Sequence, residues 1–418
     1  MVRGWSPRRR ISILVSVLLA GAVLLGPACG SGVAQSPSNT SPIIIGVPQT
    51  LSGPSSNFGK DDQIAFKMAV DDVNKAGGIH GRPLQFDFID VQAKTDVTRS
   101  VVQKMIDVDK DIMILGGDTS ATCTVIAQQV QQARVPYLMH VCLADNLTQQ
   151  GWNYVFRIPP PISQGIGGLN DFLANVVRPQ SVYLVYENSV YGTGIERVFK
   201  SWAQSRGLTY NSSSFEPGGL DYRPMLTKVK LANPDVIMFG CYLADAITLT
   251  KQSVELGLKP KIFAGAAGSL YPEWVSAVGN LAEYYLVPTQ GYMDVKYPGA
   301  AQFWERYKQT AGKAATFSQA SAYASVQVLK DVLSRVMLTG DVTKDRSAIR
   351  DALASTNVNT VFGPVKFEAF DGYTNQTKLP ALLLQVQKGT DGDLTWFTVW
   401  PASVASQKYV YPVPGLQQ

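Results

Sequence analysis

Residues 43–83 read IIIGVPQTLSGPSSNFGKDDQIAFKMAVDDVNKAGGIHGRP, and the changes of pattern along them define a folding unit. The run 43–47 is short and apolar and is bounded by Pro42 and Pro48, the pattern of a buried strand. A Ser-Gly-Pro loop follows. From Asp61 onward Ile64, Ala65, Met68, Ala69, Val73 and Ala76 recur at helical spacing, with Lys67, Asp71 and Lys75 on other faces. Gly77 and Gly78 stop the helix, because glycine tolerates the left-handed conformation of a C-cap. Strand, small-residue loop and helix make half of a parallel α/β unit. Sheets built from such units hold ligands at the carboxyl ends of their strands.

The same rhythm continues outward. Strands are expected at 84–91, 111–115 and 135–139, with helices over 97–108 and from about 120. The segment 154–158 runs into Pro159-Pro160-Pro161, which can continue neither a helix nor a central strand, and marks a first hinge crossing. Beyond it come strands at 181–186, 236–240 and 261–264, alternating with helices at 191–206 and 242–256. A return crossing is read at 284–288, helices at 298–311 and 316–338, and a strand at 380–387. Strands separated by helices imply βαβ units and mostly parallel sheets. The chain is too long for one core, so two lobes are expected. Lobe 1 takes 42–160 and 290–362, and lobe 2 takes 161–289 and 363–418.

The N-terminus has the make-up of an export signal over residues 1–28. Arg3, Arg8, Arg9 and Arg10 precede ISILVSVLLAGAVLLG, a basic start and an apolar middle. A membrane anchor is the competing reading, since spanning helices need roughly 17–25 residues, but small residues and Pro27 close the run. Leu25-Gly-Pro-Ala-Cys29-Gly30 resembles a bacterial lipoprotein cleavage site, with the leucine one place further from the cysteine than usual. Lipidation of Cys29 is the expectation. Ordinary cleavage near Ala34 is the alternative. Residues 29–41 are small and polar, as in a flexible tether. The formal charge is +5, and loss of four arginines with the signal brings the mature chain near +1. With no basic run after Arg10, nucleic acid is not an expected partner.

Taken in order, IGV, LSGP, the aromatic-glycine pair Phe58-Gly59 and AVDDVNKAGGIHGRPL resemble the opening of the leucine/isoleucine/valine-binding protein family, the type I solute-binding proteins of ABC importers. The resemblance covers about residues 43–390. It implies a periplasmic-binding-protein type I fold: two Rossmann-like lobes joined by three crossings, with the ligand in the cleft between them. It also implies a monomer anchored to the outer face of the membrane by lipid, working with ABC permease subunits and needing no cofactor.

Site residues follow from the same resemblance. In Gly116-Gly-Asp118-Thr119-Ser120 a strand ends at glycines and a helix begins, so free N–H groups favour a carboxylate. Ser120 matches the family serine that grips it, beside Asp118 and Thr119; plain N-capping is the competing role. At Cys142-Leu143 only backbone contacts carry over. Tyr191 and Tyr242 match tyrosines of the second lobe, with ordinary packing as the alternative, and Phe58 stands against the ligand side chain. Ala267 occupies a place where amino-acid binders carry an acid for the ligand ammonium. A buried ammonium without a charged partner costs several kcal/mol. Either another acid such as Asp118 or Asp245 serves, or the ligand has no α-ammonium. A branched-chain or other apolar amino acid leads, with an aromatic or aliphatic carboxylate as the alternative.

If Cys29 carries lipid, three cysteines remain. The implied fold sets the loops of Cys123 and Cys142 side by side, so a disulfide between them is expected, with Cys241 left free near the cleft. The spacing suits no zinc pattern and only His80 and His140 exist, so no metal is expected. His80 is read as solvated and His140 as packed in the core. Asp61-Asp62 and Asp71-Asp72 face apart on a helix and are read as solvated. No G-x-S-x-G elbow or P-loop appears, so an enzyme is not expected. A ligand sensor rather than an importer component stays open.

Overall fold

The computed structural model describes residues 40–53 and 56–415. The export signal, Cys29 and nearly all of the tether lie outside them. Among the described residues no helix is long and apolar enough to cross a membrane.

Residues 43–83 fold as their pattern requires. β1 (Ile43–Gln49) is buried except at Ile44 and pairs in parallel register with β2 (Leu84–Asp90), from Ile43 opposite Leu84 to Gln49 opposite Asp90. The helix between them, Ser56–Lys75, starts before the Asp61 at which the apolar periodicity begins. β3 (Ile114–Leu115), β4 (Tyr137–Met139) and β5 (Val155–Arg157) extend the sheet in parallel on the other side of β1. The second sheet repeats the design with β6 (Ser181–Glu187), β7 (Thr209–Phe215), β8 (Val236–Gly240), β9 (Ile262–Gly265) and β10 (Leu286–Thr289), all parallel. A hairpin, β11 (Asn357–Thr360) and β12 (Gly363–Lys366), stands apart from both sheets.

The remaining strands correct the lobe boundary. β13 (Glu368–Phe370) and β14 (Tyr373–Gln376) belong to the first sheet, whose order is β13-β14-β5-β4-β3-β1-β2. β15 (Leu382–Lys388) and β16 (Leu394–Trp400) close the second as β16-β15-β10-β9-β8-β6-β7. The chain therefore returns to lobe 2 at 377–381, not at 363. The antiparallel hairpin 368–376 has half-exposed strands with no long apolar run, so it left no pattern to read. The three crossings lie at 158–161, 290–299 and 377–381; the second follows the 284–288 expected for it, because Leu286–Thr289 is the strand β10 inside the second sheet.

One buried side chain ties two of these crossings together. The Arg157 Nε donates to Gln376 Oε1 at 2.6 Å, and the Gln376 amide donates to Pro159 O at 2.8 Å. Arg157 Nη1 also donates to Ala144 O at 2.6 Å and to Cys142 O at 3.3 Å. Burial pulls the guanidinium down to about 10. It remains charged at neutral pH, and it fixes the loop after β4 to the hinge.

Candidate functional site

The carboxyl ends of β1, β3 and β4 meet those of β8 and β9 across the cleft. Gly116 and Gly117 turn the chain from β3 into the helix Ser120–Ala133, at φ 133° and 80°. A side chain there would be strained, and a Cβ on Gly117 would stand 2.6 Å from Cys123 Sγ. Thr119 is the N-cap, extended at φ −119° and ψ 150°, and its hydroxyl accepts from Thr122 N at 3.2 Å. Capping thus occupies Thr119 and leaves Ser120 for the cleft. The Ser120 hydroxyl accepts from Ala144 N at 3.3 Å, while its own N–H donates to the Tyr242 hydroxyl of the other lobe.

That contact is the centre of an aromatic group. Tyr242 stacks on Tyr191 with centroids 5.1 Å apart and meets the edge of Phe58 at 5.2 Å. Phe58 also packs against Tyr271 at 4.9 Å. The Tyr191 hydroxyl accepts the Ala267 N–H at 3.2 Å, which fixes the turn after β9. Burial pushes the phenols of Tyr191, Tyr242 and Tyr271 well up, so all three stay neutral donors and acceptors. A gap of about 20 Å³ remains beside them, lined by Leu143, Ile162, Tyr191, Ala267, Gln290 and Phe317. That is room for about one water.

The acids divide sharply. In lobe 2, Asp245 accepts from the Tyr222 hydroxyl at 2.5 Å and from Gly218 N at 2.9 Å, and Glu187 is held by Ser189 and by Tyr242 N. Both serve their own lobe. Asp118 of lobe 1 is 4 % exposed, accepts the Thr50 N–H, and is raised to about 6 by burial and by neighbouring Asp62, with His140 opposing.

Behind Asp118 lies a cluster that corrects the reading of Asp61-Asp62 as solvated. Asp62 is fully buried, with His140 Nε2 at 2.8 Å, the Ser318 hydroxyl at 2.8 Å and the Gln319 amide at 2.7 Å. Asp61 pairs with Lys313 at 2.7 Å. The two do face apart on their helix, but a neighbouring segment covers each face. Asp62, Asp118 and His140 bring ligand-type atoms within 4.8 Å of one another.

Cys123 and Cys142 are joined by a disulfide, with Cα atoms 6.4 Å apart, and Cys241 is a buried free thiol. The bond ties the start of the helix Ser120–Ala133 to the loop after β4. The structure therefore brings Phe58, Asp118, Thr119, Ser120, Cys142, Leu143, Tyr191, Tyr242 and Ala267 to one interlobe region. Sequence reasoning missed Tyr271, Asp62 and Arg157. Tyr271 carries a weak signal, two residues past the Ala267-Gly-Ser269 turn; the other two carry none.

Two α/β lobes with strand ends facing a shared aromatic cleft define a hinged receptor for a small molecule. Residues 42–391 match the model of the periplasmic binding protein family, and the chain belongs to that family. Its members are solute-binding proteins that work with ABC permeases, not enzymes. Leu/Ile/Val-binding protein homolog 7 of Brucella melitensis is 25 % identical over 96 % of this chain and 98 % of its own. Homolog 3 of the same organism is 26 % identical over 74 % of this chain and 83 % of its own. Among solved structures, the branched-chain amino acid transporter substrate binding protein of Streptococcus pneumoniae, in complex with isoleucine, has a TM-score of 0.75 at 22 % identity, covering 86 % of this chain and 99 % of its own. A Rhodopseudomonas palustris solute binding protein in complex with 4-hydroxybenzoate has a TM-score of 0.74 at 18 % identity, covering 84 % of this chain and 95 % of its own.

Proposed function

We propose that this protein is the lipid-anchored, extracytoplasmic receptor of an ABC importer and that its solute is a small carboxylate without an α-ammonium. The observation that carries this reading is the turn after β9. Its Ala267 offers a methyl group and an N–H already given to Tyr191, and the two nearby acids of lobe 2 are committed elsewhere. An α-ammonium would enter with no charged partner from that lobe. A carboxylate has a donor in lobe 1: the Ser120 N–H at a helix N-terminus, now capped by the Tyr242 hydroxyl, which the incoming anion displaces. Aromatic walls with a few convergent polar groups suit a flat apolar body. Binding selects the closed form because only there do both lobes touch the solute.

A thermal-shift comparison of leucine with 4-methylpentanoate, the same skeleton without the amine, tests the solute class. Stabilisation by 4-methylpentanoate and by aromatic acids supports the proposal, and stabilisation by leucine alone overturns it. Mass spectrometry of the N-terminal peptide tests the anchor, through a diacylglyceryl group on Cys29.

A further inference from the structure

A group of buried polar atoms without partners lies at the carboxyl end of β1. Gln49 ends β1 and Thr50 follows it, both fully buried; the Gln49 side chain has no hydrogen-bond partner among the described residues, and the Thr50 hydroxyl has only the Asp118 carboxylate beside it. Asp118 Oδ1, in the adjacent loop, is buried and unpartnered as well, although Oδ2 of the same carboxylate holds Thr50 N. Buried polar groups in native proteins almost always find a partner, from protein, water or ligand. An isolated buried carboxylate oxygen is among the most costly to leave bare. Asp62 does not supply the missing donor, because a carboxylate only accepts, here from the Ser318 hydroxyl and the Gln319 amide beside His140 Nε2.

Asp118 follows the carboxyl end of β3, on the side of lobe 1 that meets lobe 2. Its charge acts on the phenols of Tyr242 and Tyr271, which lobe 2 brings over it. It stands two residues from Ser120, no more than about 7 Å of chain. The two groups are thus close enough along the chain for one small solute to address both.

Resting on the carboxylate reading above, we infer that Asp118 is a second recognition pole, which accepts a hydrogen bond from a hydroxyl at the far end of the solute. The solute class is then a hydroxylated aromatic monocarboxylate: anion at Ser120, ring between Phe58 and the tyrosines, hydroxyl at Asp118 with Thr50 beside it. A site built to bond a hydroxyl rejects the analogue that lacks it far more strongly than an apolar pocket rejects a missing methylene.

Calorimetry on the whole mature protein with acids differing by one hydroxyl tests this: benzoate against 4-hydroxybenzoate, and phenylacetate against 4-hydroxyphenylacetate. The hydroxylated member of each pair is expected to bind at least tenfold tighter. In Asp118→Asn and Asp118→Leu that ratio falls toward one, whereas a purely structural role would weaken both members of each pair alike and keep the ratio. Equal affinity within both pairs, or a ratio that survives both substitutions, overturns the inference and leaves the carboxylate reading standing. Leucine binding tighter than all four acids overturns both.

Discussion

Arg197 of lobe 2 reaches Asp145 of lobe 1, Nη2 to Oδ2 at 3.0 Å, and so bridges the cleft on one side. On another, Lys313 of lobe 1 lies between Asp61 of its own lobe and Glu273 of lobe 2. Both bridges exist only while the lobes are closed. Arg197 is more than half exposed, so its pair is worth about 0.2–1 kcal/mol and weakens with salt. Arg197→Met should weaken solute binding two- to fivefold, and Lys313→Met should do more because Asp61 loses its partner. Small-angle scattering on the solute-free variants should show a larger radius of gyration, and an unchanged radius would exclude a latch.

Ser120→Pro separates the backbone N–H from the fold. Ser120 is the first helical residue, where proline is well tolerated, and Thr119 before it is already extended, as a pre-proline residue must be. The variant should fold with a melting temperature near that of the parent. It should lose solute binding a hundredfold or more, whereas Ser120→Ala, which keeps the N–H, should lose about tenfold. Titration calorimetry on both distinguishes the amide from the hydroxyl.

Glu187 and Asp111 are each raised to about 7, chiefly by burial. Between pH 4.5 and 7 the native state holds protons that the unfolded chain has released. Stability therefore falls as pH rises through that window. Asp90 and Asp235 are shifted down, and their effect lies below pH 4. The melting temperature should be a few degrees higher at pH 5 than at pH 7.5. Glu187→Gln and Asp111→Asn should each raise the pH 7.5 value and flatten the profile, as differential scanning fluorimetry can show.

The parts of this molecule that sequence could anticipate are those with a repeating local cause. β1 and β8 are continuous apolar runs, and the helix Tyr242 caps has its period written in Ala246, Leu249 and Ser253. Short strands with mixed exposure, such as Asn357–Thr360 and Glu368–Phe370, have no such period, so the sequence pattern does not mark the lobe boundary. The same limit governs the site. Ser120 and Tyr242 sit in local motifs, but the burial of Asp62 depends on Ser318, more than 250 positions away, and no window along the helix Ser56–Lys75 contains it.

The Cys123–Cys142 bond closes a loop with a sequence separation of 19. Restricting the unfolded chain over such a loop is worth about 3 kcal/mol. Replacing both cysteines by alanine should lower the melting temperature by several degrees and loosen the Ser120 loop, with solute affinity falling in parallel. Cys241 is fully buried, with its thiol pushed up by burial, and should resist maleimide until the protein is unfolded.

Ala267→Asp should exchange one solute class for another. The residue is half-buried at the start of the turn Ala267–Leu270, and its N–H is fixed on Tyr191, so a new carboxylate there faces the gap beside Leu143. An unpaired carboxylate in that place opposes closure around an anion, since two like charges would be brought together out of water. An α-ammonium between them relieves both. The wild-type protein should therefore bind 4-methylpentanoate at least tenfold tighter than leucine, and the variant should reverse that order. Calorimetry with the two compounds reads the ratio directly. A variant that still prefers 4-methylpentanoate would show that Ala267 does not face the solute's α-carbon, and the basis for excluding amino acids would fall with it.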